Sequence, residues 1–229
     1  TRRSSDLNEI PAVQELLQQM DIKGCLVVAD ALNCQRETAK VIVSGKGDYL
    51  LSVKENQPSL MQDIRDYVQG DDLRGGMSAQ SIREKSRDRI EKRTAFVTQD
   101  IEWLPQKSQW DHLACIGAIH TEFQTKAGKS SQWHYYISSR PLSAEDLLHH
   151  ARMEWAVETM HWLLDVHFEE DYLRVANKTI QENMNLLRKF ALSMIRQYKS
   201  RIVSKRALSK LMFDCLLDPN MILRVLSQN

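Results

Sequence analysis

The sequence predicts an α/β fold, because helical and strand-like segments alternate through its first quarter. Residues 9–20 place apolar side chains at helical spacing, and residues 25–30 form a short apolar run typical of a strand buried on both faces. A second helix, from 33 or 34 to about 44, and a second strand at 49–53 follow. Two strands joined through a helix predict a parallel pair with a right-handed crossover.

The rest of the chain predicts one more core helix, further strands and C-terminal helices. Pro58 suits the first turn of a helix reaching Val68, and the Gly- and Asp-rich residues 70–80 indicate a loop. Helix-start signatures occur at 143–146 and 179–182, the first of them opening a long helix. Aromatic and β-branched segments predict strands at 93–98, 112–120 and 133–138, and short helices are predicted at 204–216 and 219–227.

Composition excludes several classes of protein. With 42% hydrophobic and 27% charged residues the chain is typical of a globular protein, and its net charge of +1 predicts no partner by itself. No apolar stretch approaches the ~20 residues of a membrane helix. The four cysteines are scattered without a C-x-x-C pair, which indicates free thiols in a reducing cytoplasm. Walker, G-x-S-x-G and G-x-G-x-x-G motifs are absent.

Two carboxylates occupy positions suited to metal chemistry. Asp30 ends the first apolar strand, where α/β sheets bind ligands, although it could equally cap the following helix. Glu158 lies on the long helix with Glu154, His161 and Asp165, all on one helical face. Carboxylates and imidazole suit a site for a hard cation and phosphate. A solvated charged stripe is the more common explanation of such a helix.

We predict structural or supporting roles for the other side chains near these carboxylates. Trp155 and Trp162 lie on the same helix as Glu158 and are predicted to pack in the core. His149 and His150, with His161, match no standard zinc spacing and are predicted to lie at the surface or beside the site.

Basic residues are segregated toward the C-terminus, where the only acid between residues 174 and 210 is Glu182. A merely soluble helical face would usually interleave acids, so this segment is predicted to contact DNA phosphates. Its basic residues are Arg174, Lys178, Arg188, Lys189, Arg196, Lys199, Arg201, Lys205, Arg206 and Lys210.

A second basic cluster lies at 83–93 and is interrupted by three acids, Glu84, Asp88 and Glu91. An exposed strand or loop neutralised by ion pairs and a phosphate-binding surface are equally compatible with this pattern. The cluster consists of Arg83, Lys85, Arg87, Arg89, Lys92 and Arg93.

These segments, in this order, resemble the H-repeat-associated transposases of bacterial insertion sequences, which belong to the DDE transposase group. The resemblance covers nearly the whole chain, and the stretches around Asp30 and Glu158 together are its most specific part. It is carried by Asn8-Glu-Ile10, Asp30-Ala-Leu-Asn-Cys-Gln35, Gly47-Asp-Tyr-Leu50, Val53-Lys-Glu-Asn-Gln57, Tyr136-Ile-Ser-Ser139, Trp155-Ala-Val-Glu158 and the segment from His161 to Asp171.

The resemblance implies a ribonuclease H-like core with a β-rich insertion. It implies that Asp30 and Glu158 are the second and third catalytic carboxylates, which would bind Mg²⁺ or Mn²⁺ during DNA cleavage and strand transfer. Lys54, Asn56, His161 and Asp165 are expected near the metal or the substrate. The implied divisions are 1–74 (second half of the core), 75–140 (insertion), 141–175 (the Glu158 helix) and 176–229 (basic helices).

In this family the first catalytic Asp precedes the segment matched by residues 1–10, so we expect the 229-residue chain alone to be inactive. The implied partners are insertion-sequence ends and target DNA, bound by a homodimer or larger assembly in a bacterial, nucleoid-associated setting. DNA contacts are assigned to Arg188, Lys189, Arg196, Lys199, Arg201, Lys205 and Arg206. Two alternatives remain open: a DNA-binding remnant that does not cut, and a nuclease of the same fold.

Overall fold

A computed structural model describes residues 2–70, 74–85, 89–126, 128–168, 172 and 177–227, without the side chains of 2–8, 156–159, 161 and 178. The chain divides into two compact units, residues 1–155 and residues 156–229. Within these segments the fold is mixed α/β, as predicted. None of the helices in the described segments is both long and apolar enough to cross a bilayer.

The first unit is built on a six-stranded sheet in which one parallel pair continues into an antiparallel ribbon. Strands β1 and β2 pair in parallel, which confirms the predicted strand–helix–strand crossover, and β2 pairs antiparallel with β6. The order across the sheet is β1 (Leu26–Ala29), β2 (Asp48–Val53), β6 (Gly128–Ser138), β5 (Cys115–Thr125), β4 (Arg89–Thr98) and β3 (Ser78–Lys85).

Three helices cover one face of this sheet: α1 (Arg2–Gln19), α2 (Arg36–Ser44) and α3 (Pro58–Gln69). Because side chains alternate along a strand, Tyr49, Leu51 and Val53 of β2 all point into this layer, where they join Ile42 and Ile64 in one core. A short connection with Gly47 joins α2 to β2. A Cβ at Gly47 would lie 2.9 Å from the Ile22 carbonyl, so this turn requires glycine.

A long helix, α4 (Ala144–Phe168), starts on the opposite face of the sheet. Leu147 and Ala151 pack there against Leu50 and Tyr136, the side chains that alternate outward from the first layer. The predicted start of this helix is confirmed. Ser143 Oγ accepts from the Asp146 N–H at 3.0 Å, while Asp146 Oδ2 accepts from the Ser143 N–H at 3.2 Å, a reciprocal capping box.

The second unit contains the end of α4 and three more helices, α5 (Lys178–Arg201), α6 (Leu208–Leu217) and α7 (Pro219–Ser227). Ile195, Leu211 and Val225 form a small core between α5, α6 and α7. The helix predicted to start at Thr179 begins one residue earlier, at Lys178, and its N-cap is Asn177. Asn177 Oδ1 accepts from the N–H groups of Thr179 at 3.0 Å and Ile180 at 3.3 Å.

Two further expectations about local structure are wrong. The segment assigned to a loop up to residue 80 already enters β3 at Ser78, and β3 pairs with β4 through eight residues. Trp162 is not core packing: it is 56% exposed, whereas Trp155 is half-buried. The predicted strands at 93–98, 112–120 and 133–138 are present with different bounds. Strands β4 and β6 begin earlier than predicted, whereas β5 begins three residues later and ends five residues later.

Candidate active site

Asp30 lies immediately after β1, at the carboxyl end of the parallel pair. Its Oδ1 accepts from both the backbone N–H of Asn33 at 3.2 Å and Asn33 Nδ2 at 3.1 Å. The side chain is exposed, and Oδ2 has no partner in the described part of the chain. Asp30 is not the cap of α2, because the residue in that position is Gln35. The carboxylate is therefore held by one oxygen and offers the other to solvent.

A second loop, at the end of β2, supports the loop that carries Asp30. Asn56 Nδ2 donates to the Ala31 carbonyl at 2.5 Å and more weakly to the Cys34 carbonyl at 3.4 Å. Gln57 Nε2 donates to the same Cys34 carbonyl at 2.9 Å. These bonds join residues more than 20 positions apart in sequence. They fix the backbone that follows β1 and thus the position of Asp30.

The same edge of the sheet carries two helix N-termini. Helix α2 begins after Gln35 and α3 after Gln57, and neither of these residues makes a side-chain capping bond. The first-turn N–H groups therefore lack side-chain acceptors, and the helix dipoles place partial positive charge there. Lys54 is exposed in the loop between β2 and α3. This edge can thus attract an anionic group to the neighbourhood of Asp30.

Cys34 closes the Asp30 loop from inside and is fully buried. Burial, with a smaller contribution from the negative charge of Asp30, raises the pKa of the Cys34 thiol to about 12. The thiol therefore stays protonated at neutral pH and acts as a small apolar side chain. A buried, protonated thiol is a poor nucleophile, so Cys34 has a structural role in this loop.

The predicted partner carboxylate, Glu158, lies within α4, as does His161; the side chains of both fall outside the described residues. Asp165, about one helical turn after His161, is exposed. All three residues thus lie on one helix, in the second unit, whereas Asp30 belongs to the first unit.

The part of α4 just before Glu158 is anchored to the sheet through an ion-pair network. The Arg93 guanidinium lies 4.9 Å from the Trp155 ring centre, donates to Glu84 at 2.7 Å and also pairs with Glu91. Arg152, on α4, pairs with Glu84 as well. The hydrogen bond from Arg152, followed by that from Arg93, lowers the pKa of Glu84 below its usual value.

The basic residues assigned to DNA lie on α5 and in the following loop. Some have intramolecular partners: Arg206 pairs with Asp214 at 2.7 Å, Arg201 lies over the Tyr198 ring, and Arg188 contacts Asn185. The remaining four have no partner in the described segments, and they are Lys189, Arg196, Lys199 and Lys205. Arg174 lies outside the described residues, as does the side chain of Lys178.

Among the described residues no three His, Cys, Asp or Glu side chains converge as a metal site. The histidine pair His149–His150 has ring centres 5.2 Å apart, and burial lowers the pKa of His150. Asp30 nevertheless fits a hard cation, because its free oxygen is exposed and its other oxygen is fixed. One carboxylate alone is insufficient, so further oxygen ligands must complete the site.

Comparison with known proteins assigns the chain to a family. A family model described as the transposase DDE domain matches residues 2–194 of the chain. The chain belongs to the DDE transposase family. This match includes the Asp30 loop, the sheet and α4.

Two of three curated relatives of this DDE transposase chain are named as putative transposases. It is 32% identical over 205 residues to "Putative transposase YncI" of Escherichia coli O157:H7, covering 84% of the chain and 51% of that protein. It is 31% identical over 228 residues to "H repeat-associated putative transposase YhhI" of Escherichia coli K12, covering 96% of the chain and 59% of that protein. "Putative protein YbfL" gives the same identity and coverage. The chain thus spans a little over half the length of these relatives.

The sequence does not indicate how two residues shape the site. Asn33 and Asn56 make hydrogen bonds to the Asp30 loop, and the expected position of Asn56 near the metal or the substrate stays a prediction. The available hint is that each asparagine follows an apolar strand by a few residues. The assigned catalytic and DNA-binding roles remain predictions.

Proposed function

We propose that this chain is the larger part of a transposase that cleaves DNA at the ends of an insertion sequence and joins them to target DNA. The observation that carries the proposal is the exposed Asp30 carboxylate at the carboxyl end of β1 in a DDE-family chain. Parallel strands of an α/β sheet bind their ligands at this edge. A carboxylate there, with one oxygen free, is suited to a divalent cation.

In this proposal Asp30 and Glu158 hold Mg²⁺ or Mn²⁺. The bound metal would lower the pKa of a water or DNA 3′-hydroxyl and stabilise the phosphorane-like charge of an in-line displacement. Asn33 fixes the rotamer of Asp30, and Asn56 fixes the backbone from which Asp30 projects. Lys54 and the N-termini of α2 and α3 orient the scissile phosphate. His161 and Asp165 lie on the Glu158 helix, where they assist ligand placement.

The proposal also assigns a role to each part of the chain. Residues 1–74 and the α4 region at 141–175 belong to a ribonuclease H-like core, and residues 75–140 form an insertion whose strands extend the same sheet. Residues 176–229 supply basic helices for DNA. Two or more copies assemble to bring both transposon ends together, as joining two ends to one target requires.

The test uses the protein encoded by the complete reading frame that contains these residues. Strand transfer of labelled insertion-sequence ends is measured with Mg²⁺ for the wild type, Asp30→Asn and Glu158→Gln. The expected loss is at least about 10³-fold for either variant, since each removes a metal ligand. Matched controls are Asp21→Asn, an exposed residue at the other end of β1, and Glu145→Gln, in the first turn of α4.

Each other result has a definite meaning. Nicking without joining would make the protein a nuclease of the same fold, and DNA binding without nicking would make it a non-cutting DNA-binding protein. Full strand transfer by Asp30→Asn would remove Asp30 from the active site.

A further inference from the structure

The outer part of the β-ribbon carries a groove on the side of the sheet that faces away from α4. Its volume is about 350 Å³, and its lining includes Arg83, Lys92, His120, Gln124 and Lys129. This ribbon groove, as we call it, lies entirely within the first unit and is separate from the Asp30 loop.

The strand register explains why the cations share one face. In the strand register Arg83 lies opposite Lys92, Lys92 lies opposite Glu122, and Glu122 lies opposite Ser131. These four residues therefore form one row across β3, β4, β5 and β6. Side chains directly opposite one another project from the same face of a sheet. Lys129 lies two residues from Ser131, on the same face in the next row.

The two faces of the ribbon differ in how many of their charged side chains form ion pairs. On the face toward α4, Glu84 and Glu91 are neutralised by Arg93, with Arg152 and Arg89 completing the network. Among the groove-lining residues that the structure describes, the ion pair on this face joins Lys92 to Glu122 at 3.3 Å. Arg83 and Lys129 have no ion-pair or hydrogen-bond partner in the segments that the structure covers. Glu84 and Glu91 are therefore paired on the face toward α4, while the groove face carries one ion pair, Lys92–Glu122, and keeps Arg83 and Lys129 unpaired in the described segments.

Arg83 and Lys129 lie at opposite sides of the groove and are too far apart to share one small anion. Arg83 on β3 and Lys129 on β6 are separated by three strand spacings, or about 14 Å at ~4.8 Å for each spacing. Two cations at this separation fit an extended polyanion with repeated charges. The hydroxyl of Ser131 and the amide of Gln124 add neutral donors of the kind that contact phosphate oxygens.

An aromatic surface borders the same face. His120 stacks on Trp133 with ring centres 4.4 Å apart, and Phe96 lies 5.9 Å from Trp133. Phe96 and Trp133 pack against the core of the first unit, so this part of the face is held in place. A surface that is held in place reduces the ordering cost of binding.

We propose that the ribbon groove is a second nucleic-acid site, which binds the phosphate backbone of duplex DNA through Arg83, Lys92 and Lys129. It rests on the proposed DNA-processing function and extends it to a surface outside the basic helices α5–α7. The site has no sequence preference of its own, because backbone contacts position a protein without reading bases. An acidic peptide is the competing occupant, and the experiment below distinguishes the two.

The test measures binding of the 229-residue chain to a labelled 30-base-pair duplex across a range of salt concentrations. The double variant Arg83→Ala/Lys129→Ala is expected to bind about tenfold more weakly, and its log K against log [salt] slope should fall by about 1 to 2, as each lost phosphate contact removes nearly one unit. The matched control is Lys23→Ala/Lys40→Ala, which removes two exposed lysines outside the groove. Circular dichroism checks that all variants are folded.

The outcomes separate the two proposals. If the wild type binds the duplex and the groove variant binds equally well with an unchanged slope, the groove is not a DNA site although the proposed function stands. Failure of every form to bind DNA contradicts both proposals. Competition by poly-glutamate that exceeds competition by unlabelled duplex would assign the groove to an acidic peptide instead.

Discussion

Asn33 donates two hydrogen bonds to the same oxygen of Asp30, one from its backbone N–H at 3.2 Å and one from Nδ2 at 3.1 Å. Its own Oδ1 is buried and has no partner in the described part of the chain. A buried acceptor without a hydrogen bond lowers stability. The unpaired oxygen of the Asn33 amide thus lowers stability, while its nitrogen holds the Asp30 carboxylate in position.

Replacement of Asn33 tests this relationship. Asn33→Ala removes one charge-assisted hydrogen bond and should lower the unfolding free energy by about 1–2 kcal/mol in urea titrations. Asn33→Asp keeps the shape but places a second carboxylate against Asp30, so it should be less stable than Asn33→Ala at pH 7 and recover as the pH falls. Equal stability of Asn33→Asp and wild type at pH 7 would contradict the proposed contact.

Asn56 is expected to act on the same loop from a distance. Asn56→Ala removes the donor to the Ala31 and Cys34 carbonyls and should reduce strand transfer by the complete protein roughly 10-fold, because a small displacement of a positioned group lowers the rate strongly. Amide exchange should also become faster at residues 31–34. Glu55→Gln, an exposed neighbour, is the control. Slower catalysis without faster exchange would instead indicate direct contact with substrate.

The buried thiols predict a specific pattern of chemical labelling. Burial raises the pKa of Cys34 to about 12 and that of Cys115 to about 11, while Cys25 is exposed. Iodoacetamide at pH 8 should label Cys25 and leave Cys34 and Cys115 unmodified until urea is added, as peptide mass spectrometry can measure. Rapid native labelling of Cys34 would show that its loop is open.

The same thiols make stability depend on alkaline pH. In the unfolded chain they ionise near their ordinary pKa of 9.0, whereas in the folded chain they remain protonated to higher pH. The unfolded state therefore binds fewer protons above about pH 9, and the unfolding free energy falls as pH rises. Cys34→Ala should flatten this part of the curve.

The sheet leaves no room for a methyl group at the place where α4 crosses β5. A Cβ on Gly117 would lie 2.6 Å from Leu147 Cδ2 and 3.2 Å from the Phe96 carbonyl. Gly117→Ala should therefore lower the unfolding free energy by about 1–3 kcal/mol. Adding Leu147→Ala should cost less in this background than in the wild type, a non-additivity that a double-mutant cycle measures. Strict additivity would mean that the two residues do not meet.

The Glu84 network predicts a loss of stability in acid. Its hydrogen bonds with Arg152 and then Arg93 lower the pKa of Glu84 below the ordinary value of 4.5. The resulting stabilisation is present above about pH 4.5 and is lost as the pH falls through the lower, folded-state pKa. Glu84→Gln should show a flatter decline of unfolding free energy below that pH than the control Glu55→Gln. An identical decline in both variants would rule out the network as the cause.

Local patterns predicted most elements of the first unit because their cause is local. The apolar run before Asp30 becomes β1, and the Ser143–Asp146 signature becomes a capping box. The sequence did not predict strand β3, because its apolar and polar residues do not alternate regularly. Most of its side chains are exposed, and backbone pairing with β4 holds it in the sheet. The roles of Asn33 and Asn56 depend on contacts between loops that only the folded sheet brings together.

Pairing between β2 and β6 joins Leu50 to Ser138, which is synthesised 88 residues later. At the ribosomal rate of about 5–20 residues per second, β2 therefore waits roughly 4–18 s for its neighbour. During this interval the unpaired N–H and C=O groups of its edge, and its apolar side chains, are open to other nascent chains or to chaperones. The yield of folded protein should consequently depend on translation speed through codons 54–138, a region that contains none of the proposed catalytic carboxylates.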